Sequence, residues 1–179
     1  DYTLEVFPLN LDGTSDFNQA MIPLVVDRNL AAEASTEVNI NTKIFDGSAL
    51  IGPGDGSIAI DPADPTTYNS SQTLSLFDDA GEPYTVTVFY QKIAEGAAQD
   101  DYRVAMYTDV AEAPTNTFNV SFDANGAAIA AIPDQVIAAS PVDGRTEDLT
   151  ISFDLQTHTK PVEIIDQTID GSPEGTLVN

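Results

Sequence analysis

The residues that could do chemistry are few in kind. The 179-residue chain holds 29 Asp and Glu, one histidine and no cysteine. His158 stands in Gln156-Thr157-His158-Thr159-Lys160. A catalytic triad would need it between a nucleophile and a carboxylate, and no G-x-S-x-G elbow accompanies it. A solvated strand-end histidine is the simpler reading. One histidine without cysteine also leaves zinc and copper short of their usual ligands. Calcium needs only oxygens. Asp12-Gly13-Thr14-Ser15-Asp16, Asp61-Pro62-Ala63-Asp64-Pro65 and Asp123-Ala124-Asn125-Gly126 each cluster them. None completes the D-x-[DN]-x-[DN]-G loop with its distant Glu, and turn chemistry explains the same residues. Carboxylate pairs for glycoside hydrolysis carry no signal where Asp and Glu are everywhere, and there is no tryptophan to stack a sugar. Asn69-Ser70-Ser71 and Asn119-Val120-Ser121 match the glycosylation triplet at chance level. Phosphate loops and dinucleotide fingerprints are missing. The expectation is a non-enzyme with no catalytic, cofactor-binding or metal-binding residues.

Charge narrows the partners. Six Lys and Arg against 29 Asp and Glu give a net charge of −23. Such a surface repels phosphate, which excludes nucleic acid and anionic membrane as partners. No apolar run approaches the roughly 18 residues of a membrane span, and Asp1 opens no signal-like segment. A hydrophobic content of 42% is enough to build a core, so disorder is not expected.

The elements that would position any site read as strands. Val38, Ile40, Thr42 and Ile44 alternate with Asn39, Asn41 and Lys43, the period of a half-buried strand. Leu74–Phe77 and Tyr84–Lys92 alternate on either side of Asp78-Asp79-Ala80-Gly81-Glu82-Pro83, which predicts an antiparallel hairpin with a loop of four to six residues. Further strands are predicted at Tyr102–Thr108, Thr117–Phe122, Ala127–Ile132, Leu149–Leu155 and Val162–Ile165, with a second hairpin turn over Phe122–Ala127. Helical turns are conceivable at Leu30–Ala34 and Asp134–Ala139. Gly47–Pro65 and Ala94–Asp101 read as loops. The fold class is all-β, an antiparallel β-barrel or sandwich of about eight short strands with long loops.

Several phrases, in order, resemble bacterial flagellar hook proteins. Asp64-Pro65-Thr66-Thr67-Tyr68-Asn69 followed by Leu74-Ser75-Leu76-Phe77-Asp78 and Gly81 is similar to that family's D-P-x-S-Y-N … T-V-x-V-Y-D-S-x-G. Tyr84–Lys92 resembles its H-x-[LM]-x-[LV]-Y-F-x-K strand, and Val120–Gly126 its L-x-F-[DN]-x-N-G hairpin. Asp166–Val178 resembles the phrase by which the chain returns to the inner domain, and Leu4–Leu9 the strand leading outward. The extreme acidity departs from the family, as does Tyr102 where a Trp is usual.

The resemblance implies residues 1–28 as an extended segment from the edge of the inner hook domain, and 29–179 as the outer β domain. Such a domain leaves and returns through adjacent strands, so residues 1 and 179 should lie close together. The intact protein would be an extracellular structural subunit of the hook, the flexible joint that transmits torque from rod to filament. Its partners would be other copies in a helical polymer, with rod and hook-filament junction proteins at the ends. The family's terminal heptad-patterned helices have no counterpart in these 179 residues, so this piece alone is expected to be monomeric. The competing readings are a calcium-stabilised extracellular adhesin-like β-sandwich and a carbohydrate-active enzyme.

Overall fold

The computed structural model describes residues 5–8, 14, 15, 17, 19–23, 32–109, 113–159 and 163–171. The chain divides into two units, Asp1–Leu30 and Ala31–Asn179. In the first, β1 (Glu5–Val6) pairs antiparallel with β2 (Ile22–Pro23), and Phe7 meets Phe17 edge to face at 5.0 Å. Most of the Asp12–Asp16 oxygen cluster, residues 172–178 of the return phrase, and both chain ends lie outside the described residues.

The second unit is a β-sandwich of two four-stranded sheets. One runs β10 (Glu163–Ile169), β3 (Glu37–Phe45), β9 (Leu149–His158), β8 (Gln135–Ile137). The other runs β4 (Ser70–Phe77), β5 (Pro83–Glu95), β6 (Gln99–Thr108), β7 (Asn116–Asp123). The all-β fold class holds, and of its two forms the sandwich is adopted.

Alternation dictates the core. Val38, Ile40, Leu149, Ile151 and Leu155 of the first sheet pack against Leu74, Leu76, Val86, Val88, Val104 and Phe122 of the second. The hairpin expected between β4 and β5 forms, Leu74 facing Val86 and Phe77 facing Pro83. Asp78 builds its five-residue loop: Oδ1 accepts the N–H groups of Ala80 and Glu82, and Gly81 takes a positive φ of 78°. That conformation is the reason for glycine there.

Four expectations are corrected. Not every strand pair is antiparallel: β3 runs parallel to β9, from Glu37 opposite Thr150 to Phe45 opposite His158. Parallel neighbours require a crossover, and here the whole second sheet supplies it. Ala127–Ile132 is not a strand. It makes only isolated bridges, Ala128 to Phe122 and Ala127 to Gln156. These join one partner in each sheet, and a segment crossing between sheets cannot ladder with either. Asp134–Ala139 is not helical, for β8 lies within it and pairs with β9. Two β-branched residues between Pro133 and Pro141 favour extension over an isolated helical turn. Ala94–Asp101 is mostly strand. The β5–β6 ladder continues past a bulge to Glu95 opposite Asp100, leaving 96–98 as the loop.

The segment 46–69 has no strand of its own, yet it is fastened across the outer face of the second sheet. Its carbonyls accept side-chain donors from that sheet. Arg103 donates to Gly56 and Ile58, Gln91 to Ile58 and Thr67, and the Tyr107 hydroxyl to Ile60 at 2.8 Å. Ile60 and Tyr68 pack there on Phe89, Ala105 and Tyr107 as a second, smaller core. Phe89 and Tyr107, which alternation alone would place in water, are therefore buried.

Candidate functional surface

Of the features singled out as possible chemistry, His158 and the Asp123–Gly126 turn share one cleft, and Asp61–Pro65 does not line it. His158 ends β9, where its carbonyl accepts the Asp46 N–H at 2.9 Å. It borders an open cleft of about 320 Å³ with Asp46, Asp100, Asp123, Asn125 and Thr157, a lining that holds no serine. Among the described residues, no three His, Asp or Glu side chains converge to hold a metal ion.

The acidic turns direct their oxygens at their own backbone. Asp61 Oδ1 accepts from Ala63 N–H at 2.9 Å, and Asp64 Oδ1 from Thr66 N–H at 2.9 Å and Thr66 Oγ1 at 2.7 Å. Asp123 Oδ1 accepts from Asn125 and Ala127 at 2.8 and 3.0 Å. The Thr66 hydroxyl and amide hold the Asp64 carboxyl, and the Ala127 and Asn125 amides the Asp123 carboxyl, below the usual carboxylate range. A depressed carboxyl stabilises the fold above its unfolded pKa, and the benefit is lost as pH falls through the lower folded value. The turns should therefore loosen only in acid below the ordinary value of 3.8. Of the glycosylation triplets, Asn69 is engaged on both amide atoms: Nδ2 donates to Ala49 O, and Oδ1 accepts the Lys92 N–H. Asn119 is exposed on β7.

In the second unit β3 and β10, with the residues just before and after them, are fastened side by side. β3 pairs antiparallel with β10, Val38 opposite Ile169. The Asp170 carboxylate accepts from Thr36 N–H, Thr36 Oγ1 and Glu37 N–H at 2.8, 2.6 and 2.8 Å. A Cβ on Gly171 would lie 2.7 Å from Ser35 N and 2.9 Å from Glu33 O, so the departing strand touches the arriving one. The body is thus entered and left through neighbouring strands.

Residues 39–172 match the family described as the flagellar basal body protein FlaE D2 domain. The chain belongs to that family. The match begins in β3 and ends just past β10, so the D2 domain and the sandwich coincide. Among solved structures the fold is similar to the flagellar hook protein FlgE2 of Helicobacter pylori, with a TM-score of 0.55 at 10% identity. The similarity covers 86% of this chain and 63% of that one, so the chain spans less than two thirds of that relative's length. No curated protein sequence matches the chain.

The D2 domain also engages three of its cations in internal contacts, which sequence reading missed. Lys92, 1% exposed, pairs its Nζ with Asp100 Oδ2 at 3.0 Å and donates to the Asp46 carbonyl at 3.0 Å. Buried Arg145 donates to the carbonyls of Ile137 and Ala138 and lies over the Tyr84 ring. Arg103 is bound to the strap at 46–69. Half of the six basic residues are thereby committed to internal contacts. The one available signal was placement: Lys92 precedes Ile93 and Arg103 lies between Tyr102 and Val104, whereas Arg145, between Gly144 and Thr146, gave none.

Repulsion across so acidic a chain opposes the compact state. Its range falls from roughly 30 Å at 0.01 M salt to about 8 Å at 0.15 M and 3 Å at 1 M. The melting temperature should therefore rise with sodium chloride, and potassium should act alike. Calcium should give no saturable step, because the turn carboxylates are already engaged. A stoichiometric calcium transition reversed by chelator would contradict this and favour a calcium-stabilised module.

Proposed function

We propose that this chain is the outer domain of a flagellar hook subunit, with residues 1–28 belonging to the edge of an inner domain. The parent protein polymerises with copies of itself into the extracellular joint between rod and filament, meets rod and junction proteins at its ends, and catalyses nothing. The D2-domain match over 39–172 carries this reading. The neighbouring entrance and exit strands support it, since a domain inserted in another chain segment needs both on one side. Turn carboxylates hydrogen-bonded to their own backbone suit a structural part. The outer domain is the portion whose neighbours must shift as the joint bends, and a polar exterior suits contacts that exchange.

An in-frame deletion of residues 39–172 in the parent gene tests it. Cells should keep the flagellar base and secretion but lose normal hook form and swimming. Unaltered hooks and motility would overturn the assignment.

A further inference from the structure

The second unit is not evenly acidic. From Ala113 to Pro133 the chain carries one charged residue, Asp123, in twenty-one, against one in five for the whole sequence. This stretch holds the edge strand β7 and the segment that crosses between the sheets. Their junction forms a groove of about 280 Å³ lined by Gln99, residues 118–121 and residues 129–133, with no charged side chain. On the other side of the crossing segment lies a second groove of about 480 Å³ against β9, where Asp154 is the single charged residue. The segment between them is a narrow ridge of alanines and Ile129, which is 54% exposed.

We infer that this ridge and its flanking grooves are where one copy of the domain rests against the next. The inference builds on the hook reading and names the contact within it. Charge selects the occupant. Two bodies of this sign approach most closely where carboxylates are fewest, and among the described residues the two grooves of this face hold a single one, Asp154. Shape agrees. A ridge beside a groove is complementary to its own copy in a head-to-tail sense, and head-to-tail contacts that do not close generate open helical arrays. Alanines offer low relief, so a neighbour can shift along the ridge without a deep knob to withdraw. The two grooves together are lined by sixteen residues, against roughly 20 to 30 a side for a stable interface, so the contact alone is weak and needs the rest of the polymer.

The test uses this chain at rising concentration into the millimolar range in 1 M sodium chloride, where repulsion is short-ranged. Amide resonances of residues 118–121 and 127–133 should shift with concentration, and light scattering should report net attraction. Ile129→Asp should weaken the association about tenfold or more. Val142→Asp, at an exposed apolar site elsewhere, should leave it unchanged, with both variants melting near the parent temperature. Shifts centred on another face, equal effects of the two variants, or no association in high salt would each overturn the inference. Those outcomes would leave the hook reading standing, since the deletion phenotype judges that separately.

Discussion

Replacing Lys92 with alanine should destabilise the sandwich by about 3 kcal/mol, as for other buried, hydrogen-bonded charges. Lys92 Nζ sits between Asp100 and the Asp46 carbonyl, and the buried residue stands opposite Tyr102 in the β5–β6 ladder. The substitution leaves a cavity, strips a donor from a carbonyl and leaves Asp100, 22% exposed, short of its countercharge. Glu95 adds little, being 61% exposed and 3.8 Å away, so Glu95→Ala should be nearly neutral. For a domain of this size, 3 kcal/mol lowers the melting temperature by about 6 to 12 °C. Lys92→Met keeps the stem packing and should fall between the two. If alanine melts within a degree or two of the parent, the cation is not what fastens that part of the sandwich.

Gly126→Ala should cost about 2 to 3 kcal/mol, because conformation and space are both refused at once. Gly126 holds a φ of 82°, and an added Cβ would lie 2.6 Å from the Thr157 carbonyl oxygen. That oxygen is backbone of β9 and cannot swing aside. Gly126 O in turn accepts the Thr157 N–H at 2.8 Å, so the turn after β7 is stitched to the first sheet through this residue. Urea unfolding should show a lower midpoint with an unchanged slope. Asn125→Ala, one position away and exposed, should lose only a few tenths of a kcal/mol of local hydrogen bonding.

Elements whose partners are adjacent in sequence were legible from sequence. The β4–β5 hairpin follows from alternation across an Asp- and Gly-containing turn. Val38 to Ile44 alternate as β3 requires. Information held by distant partners was not legible. The direction of β9 beside β3 depends on how the chain returns after more than a hundred residues. The Gly- and Pro-rich stretch 46–69 reads as loose, yet donors spaced along β5 and β6 tie it down, and nothing local announces Arg103 reaching Gly56. The Ala127–Ile132 segment has strand-like hydrophobicity but divides its contacts between two sheets. The family phrases fall on turns at Asp64–Asn69 and Asn125-Gly126 and on the largely buried strand β5, features fixed by local chemistry.

Gold-labelled antibodies raised against this chain can be applied to intact flagellated cells of its source and viewed by electron microscopy. Label should gather on the short curved segment between the cell envelope and the filament, spaced along that segment's length as a repeated subunit would be. Label on the filament, on the cell surface away from flagella, or absent from exposed hooks would contradict the assignment of this domain to the outside of the hook.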